Sequence, residues 1–311
     1  MPITAASLGS PCTGICRIDE ATSYCLGCGR TSDEIASWRF ASDTRKQEIW
    51  TALPGRFEAL GLTVTRLPWQ QSDILEFVVS GLEARQGTWV MGCHGATAEF
   101  MCDREEGRTL DVAGTLLTAA SVRGALRLNV LADLRALQLR DPANPAGYRA
   151  IFLVRPKPNA EIPGPAGFTA LGPDHAAVSA SDSRDALYDL GLGRADLRFC
   201  IRLPHGDLAT ALAPLSGFHL NDLLKHHGMA LLNQSPDRVV ETDIGRIEVK
   251  TRIPLPGETS PNGPHTHLLP GHLATGRATT PGIDLPSAYR LCATYYPKAV
   301  GDEAPQNVCG G

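Results

Sequence analysis

Several signals that would classify a chain at once are missing from this one of 311 residues. No run approaches about eighteen consecutive apolar residues, so no membrane-spanning helix is expected. The opening MPITAASLGSPC has neither a basic start nor an apolar stretch, so no secretory signal is expected and the cytoplasm is the expected location. Charge of one sign is lacking as well. Lys plus Arg number 29 against 33 Asp plus Glu, a net charge of −4. Such a mildly acidic chain does not carry the footprint of a general nucleic-acid binder. The N-terminal stretch from Cys12 to Arg66 is balanced too, with seven basic and seven acidic residues, so it has no bias for phosphate contact. G-x-S-x-G, P-loop and G-x-G-x-x-G motifs are missing, and GLGRAD at 191–196 reads as a helix stop because no strand is expected before it. No internal repeat is visible. What is present is an apolar share of 43%, which excludes a wholly disordered chain, and a length ample for a buried core.

Cysteine is where the sequence becomes specific. Nine cysteines without an export signal argue against a disulfide framework. Five of them, Cys93, Cys102, Cys200, Cys292 and Cys309, are scattered singly and read as small buried apolar residues. The other four, Cys12, Cys16, Cys25 and Cys28, form C-x3-C-x8-C-x2-C, with Gly14, Gly27 and Gly29 placed for tight turns. Two close pairs of thiolates suit tetrahedral Zn²⁺ or an iron–sulfur cluster, both of which take soft sulfur ligands.

The expected organisation follows. Residues 1–11 are small and polar and read as unstructured, and residues 12–55 as a metal-stabilised unit too small to hold together on apolar burial alone. Thr31 and Glu34 have capping-box spacing, and Ser42 starts a second helix that Pro54-Gly55 is expected to stop. A third helix follows Ser72. From residue 70 to 300 the reading is one mixed unit: strands at TWVMGCHGATAEFM, ALRLNV, YRAIFLV and LRFCIRL, helices at SRDALYDLGLG and DLATALAPL, and a hairpin around Asp243-Ile-Gly245. His226-His227 is expected near a helix end terminated by Gly228. The segment 253–287, rich in Pro and Gly, reads as a long loop or a site, and 301–311 as a flexible tail. The order of elements gives an α+β class.

The run SPCTGICRID and then YCLGCGRTSDEIASW resembles the small cysteine-rich domain of unknown function 1289, whose members are described as predicted iron–sulfur proteins. The resemblance covers about residues 10–53, including the Pro before Cys12, all four cysteines, Gly27, Arg30, Thr31, Glu34, Ile35 and Trp38. It implies an iron–sulfur cluster at these cysteines, with zinc as the alternative. The phrases GATAEF, LYDLGLG, GRIEV and SPNGPHTHLLP resemble an uncharacterised bacterial family, which implies no activity.

Three of nine histidines crowd into GPHTHLLPGH. His265 and His267 point to one face of an extended chain, which suits two imidazoles on one mononuclear Fe²⁺ or Zn²⁺, and His272 joins if Pro270-Gly271 turns the chain back. The H-x-H pair resembles the metal-binding strand of cupins without its acidic ligand, so a further ligand must come from elsewhere. Glu99, Asp174 and His175 are the candidates. Against this stands the reading that these histidines hydrogen-bond backbone in a proline-rich loop. Cys93 and His94, being neighbours on a strand, point to opposite faces and make no dyad.

The expectation is a two-part metalloprotein. Its cysteines carry an iron–sulfur cluster or zinc, its histidines hold a second metal, and it serves as an oxidoreductase or the electron-relay component of one, with a redox or protein partner. The alternative is a zinc-stabilised interaction or sensor protein without catalysis, docking through Trp38 or Trp50.

Overall fold

The computed structural model describes residues 8–102, 108–157, 162, 164–253 and 268–297. In chain order its elements are α1 (Ser32–Ser37), α2 (Asp43–Ala59), β1 (Val64–Arg66), α3 (Gln71–Glu83), β2 (Thr88–Cys93), β3 (Ala96–Met101), β4 (Thr109–Ala113), β5 (Leu116–Ser121), β6 (Gly124–Asn129), β7 (Arg135–Asp141), β8 (Asn144–Pro156), β9 (Thr169–Pro173), β10 (Ala186–Asp189), β11 (Leu197–Leu203), α4 (Asp207–Leu212), α5 (Leu220–Gln234), β12 (Asp237–Thr242), β13 (Gly245–Val249), α6 (Pro270–Leu273) and β14 (Tyr289–Tyr296). The strands form two antiparallel sheets of six and eight strands, so the class is α+β.

Two compact units account for the chain. One takes Met1–Val78, Val130–Asn159 and Thr279–Leu291, so the cysteine segment shares its unit with later stretches of sequence. Here Thr31 closes a full capping box on Glu34 and starts α1, and the Ser42 side chain caps α2. The expected stop at Pro54 does not occur: α2 runs through it to Ala59. Proline removes one hydrogen bond, but the turns beyond it bury Phe57 and anchor Arg56 to Glu34 and Gly29. Leu8, Ile49, Trp50, Leu53 and Phe57 form a small core, with Trp38 and Leu62 against it. Leu8 is buried and the Trp50 Nε1–H donates to the Gly9 carbonyl at 3.0 Å, so residues 8–11 are packed where an unstructured start was expected. In the six-stranded sheet β1 pairs with β7, and β7 with β8. The run Ile151–Val154 is buried throughout.

The other unit takes Val79–Asn129, Ala160–Ala278 and Cys292–Gly311. Its eight-stranded sheet runs β4-β5-β6-β13-β12-β11-β10-β9, antiparallel throughout. The expected Asp243 hairpin joins β12 to β13 with Thr242 opposite Gly245. Two expectations fail. SRDALYDLGLG holds a short 3-10 turn and then strand β10, with Leu187 and Tyr188 buried between β9 and β11; pairing on both sides outweighs helical spacing. As a consequence GLGRAD follows a strand and precedes β11, and it is not a helix stop. Gly228 lies inside α5, which continues six residues to Gln234 and ends on Ser235 in the left-handed conformation.

Candidate functional site

The loop that carries the first cysteine pair and the turn that carries the second are packed together through backbone geometry. Residues 17–26 form a tight hairpin, with Ile18 bridged to Cys25 and Leu26 N–H donating to the Arg17 carbonyl. The second pair closes a turn in which the Cys28 and Gly29 N–H groups both donate to the Cys25 carbonyl, at 3.2 and 2.8 Å. This turn is pressed onto the loop between Cys12 and Cys16. The buried Thr13 hydroxyl donates to the Gly27 carbonyl at 2.9 Å, and the Cys25 thiol donates to the Ile15 carbonyl at 3.0 Å. A Cβ on Gly27 would sit 2.5 Å from Thr13 Oγ1 and 2.7 Å from the Ile15 oxygen, so only glycine permits the approach. Outside the loop, Arg66 and the Tyr289 hydroxyl both donate to the Cys12 carbonyl, at 3.1 and 3.0 Å.

Cys25 and Cys28 are buried, Cys12 is half-buried and Cys16 is exposed. Two sulfurs accept N–H bonds: Gly14 N–H reaches Cys12 Sγ at 3.4 Å, and Arg30 Nε–H reaches Cys28 Sγ at 3.5 Å. Such bonds offset the negative charge of thiolates on a metal. Burial pushes the Cys28 thiol up, Arg30 pulls against it, and the neighbouring Cys25 adds to the rise. Arg30 is itself buried, with its guanidinium 4.8 Å from the Trp38 ring centroid. A second arginine fastens the turn to the helices: Arg56 donates to the Gly29 carbonyl at 3.1 Å and to both oxygens of buried Glu34. The donor set is soft and local, as zinc or an iron–sulfur cluster requires. Among the described residues, however, no three of the His, Cys, Asp and Glu side chains are gathered closely enough to hold an ion.

Trp38 and Trp50 do not form an exposed docking patch. Trp50 is buried and Trp38 packs against the same small core. The exposed apolar residues here are Ile15, Ile18 and Phe40, the last 85% exposed.

Of the histidine candidates, His265 and His267 lie outside the described residues. His272 sits on α6 and stacks on His94, with ring centroids 4.5 Å apart and planes 10° from parallel. Glu99 and Asp174 are buried and His175 is exposed. None of the three joins His272 in a metal-holding group among the described residues. Cys93 is buried, and His94 occupies the turn of the β2–β3 hairpin.

One concentration of charge is not anticipated from the sequence. Arg202 on β11 donates to Asp174 (3.1 Å), Glu248 (2.8 Å), Asp182 (2.9 Å) and Asp237 (2.6 Å). Arg246 on β13 grips Asp174 with two nitrogens and reaches Glu241 and Glu248. The Arg202, Asp174 and Glu248 side chains are no more than 1% exposed. The segment 174–185 lies over this face of the sheet, tied by Val178 N–H to Glu248 and by Arg127 to the Ala176 carbonyl. The only advance signal is the alternation of charges in Arg198-Phe-Cys-Ile-Arg202 and Arg246-Ile-Glu248-Val-Lys250, which looks identical to a solvated strand face.

A family model described as a family of unknown function (DUF6925) matches residues 73–306. A second, described as a protein of unknown function (DUF1289), matches residues 10–57, where the cysteine pattern lies. Neither the curated proteins nor the solved structures include a match. No helix among the described residues is long and apolar enough to cross a membrane.

Proposed function

The chain belongs to the family of unknown function DUF6925, which leaves its chemistry to be read from its own residues, and we propose that it is a cytoplasmic metalloprotein whose Cys12, Cys16, Cys25 and Cys28 hold an iron–sulfur cluster. The observation that carries this is the packing of the Cys25–Cys28 turn on the Cys12–Cys16 loop, with two sulfurs already accepting N–H bonds. A bound cluster supplies one-electron transfer. The chain then serves as an oxidoreductase or its relay component, exchanging electrons with a redox partner. Its own residues would do the rest. Arg30 places a positive charge beside Cys28 and opposes the burial that disfavours its thiolate. Arg66 and Tyr289 hold the Cys12 backbone, and Arg56 locks the turn onto α1 and α2.

Protein purified without oxygen is expected to contain iron and acid-labile sulfide, with visible absorbance that bleaches on reduction and is lost in a Cys25→Ser, Cys28→Ser variant. Iron content unchanged in that variant overturns the assignment.

A second reading is favoured by Ile15, Ile18 and Phe40, apolar side chains exposed around the cysteine segment. In it the cysteines hold a structural zinc and this surface docks another protein. Stoichiometric zinc with a flat visible spectrum selects it over the relay.

A further inference from the structure

The stacked pair His94 and His272 takes no part in the cysteine reading, and it stands in the second of the two units. We propose that these two imidazoles form a separate site for a divalent ion of borderline softness, such as Zn²⁺ or Ni²⁺, with its remaining positions open to water or a small ligand.

The placement of the pair is enforced from several directions. His94 and Gly95 make the two-residue turn between Cys93 and Ala96. Leu269 N–H donates to the Gly95 carbonyl at 2.7 Å, Leu268 is bridged to Ala96, and His94 N–H donates to the Arg277 carbonyl at 3.2 Å. Helix α6 therefore lies directly on the hairpin. Gly95 has φ +92°, and a Cβ there would meet Leu273 N at 2.5 Å and His272 Cβ at 2.9 Å, so only glycine lets the two histidines come this close. Beyond α6, Thr275 Oγ1 donates to the His272 carbonyl and Arg194 to the Gly276 carbonyl. Two ligands on two interlocked backbone segments have already lost the freedom that ion binding would otherwise remove.

The chemistry selects the class of ion. Among the described residues no third Cys, His, Asp or Glu joins the pair in a metal-holding group. An all-imidazole donor set suits Zn²⁺, Ni²⁺ or Cu²⁺ and does not suit Mg²⁺ or Ca²⁺, which need oxygen. Neutral imidazole is the ligating form. Burial, His272 and Arg277 together hold His94 below the ordinary histidine range. His94 is half-buried and His272 exposed; in the stacked arrangement the ring planes lie 10° from parallel, so the rings turn from the stack to bring their nitrogens onto one ion.

The test is titration of Ni²⁺ alone into the full chain as purified, read by calorimetry and by paramagnetic broadening of histidine ring signals. The expected result is one saturable equivalent with His94 and His272 broadened together. His94→Ala and His272→Ala should each weaken binding at least about tenfold, and the double variant should show no saturable equivalent, because both ligands of the one ion are gone. His94→Asn, which suits the turn, repeats the loss in case His94→Ala fails to fold. A His265→Ala, His267→Ala variant should bind as the parent does. Parental affinity in the His94 or His272 variants overturns the proposal. So does broadening confined to His265 and His267, or near-ultraviolet nickel–thiolate absorbance as the sole change.

Discussion

The cysteine segment with its two helices and the eight-stranded sheet solve the same problem by different means. Around the cysteines the apolar core is five buried side chains, Leu8, Ile49, Trp50, Leu53 and Phe57, and polar bolts do the joining: Thr13 to Gly27, Arg56 to Gly29 and Glu34, Arg30 to Cys28. A core of that size is marginal alone, and the segment shares its compact unit with Val130–Asn159 and Thr279–Leu291. The sheet has continuous antiparallel pairing from β4 to β9 and buries charge at its centre, where Arg202 and Arg246 gather five carboxylates. In the first region polar groups hold loops against one another. In the second they answer one another. The difference is that the sheet's buried charges satisfy one another, whereas the polar groups around the cysteines fasten backbone segments together.

The sharpest way to break this comparison is Arg202→Met. If the sheet's charges are mutually compensating, removing the hub takes one cationic partner from each of Asp174, Glu248, Asp237 and Asp182, and global stability should fall by about 3–5 kcal/mol in denaturant unfolding. A loss below about 1 kcal/mol would mean that the network contributes little and that the contrast is false.

A smaller effect sharpens the other side. Thr31 accepts from the Glu34 N–H, and the Glu34 carboxylate accepts from the Thr31 N–H. Thr31→Ala should cost about 1 kcal/mol, seen as faster amide exchange in α1 while the eight-stranded sheet exchanges as before. Equal acceleration in both would show that the two regions open together.

The smallest effect is one of pH. For Glu34, burial opposes ionisation, yet hydrogen bonds from Arg56 and the Thr31 N–H with the charges of Arg56 and Arg45 hold it below its usual value. For Asp182, burial again opposes, and hydrogen bonds from Lys250 and Ser181 with the Arg202 and Lys250 charges win. Both carboxylates therefore lend stability that is complete above the ordinary carboxylate range of about 4 and is lost as pH falls through their depressed values. Solvent screening keeps each contribution modest. Glu34→Gln should flatten the acid limb of α1 exchange alone and Asp182→Asn that of the sheet; a variant that leaves its own region's acid limb unchanged removes that carboxylate from the account.

Much of the N-terminal region is legible in sequence because its determinants are local. Capping depends on residues three apart, so Thr31 with Glu34 and Ser42 announce their helices, and the two cysteine pairs announce their turns. Pro54 misleads because its cost is set by what the following turns bury, which only packing reveals. The strand at Ala186–Asp189 misleads in the same way: SRDALYDL has helical spacing, and its neighbours β9 and β11, whose paired residues lie 11 to 20 positions away along the chain, override it.

The sequence by itself determined the α+β class, the cysteine cluster and its turns, the caps of α1 and α2, and the Asp243 hairpin, since each rests on composition or on spacings of a few residues. Tertiary structure alone decided three things. It put the alternating charges of β11 and β13 under the 174–185 segment instead of in water, carried α2 and α5 past Pro54 and Gly228, and laid His272 on His94. Each of these depends on which distant segment covers a face, and no local spacing encodes that: a strand with one charged face reads the same whether solvent or another segment of the chain lies over it.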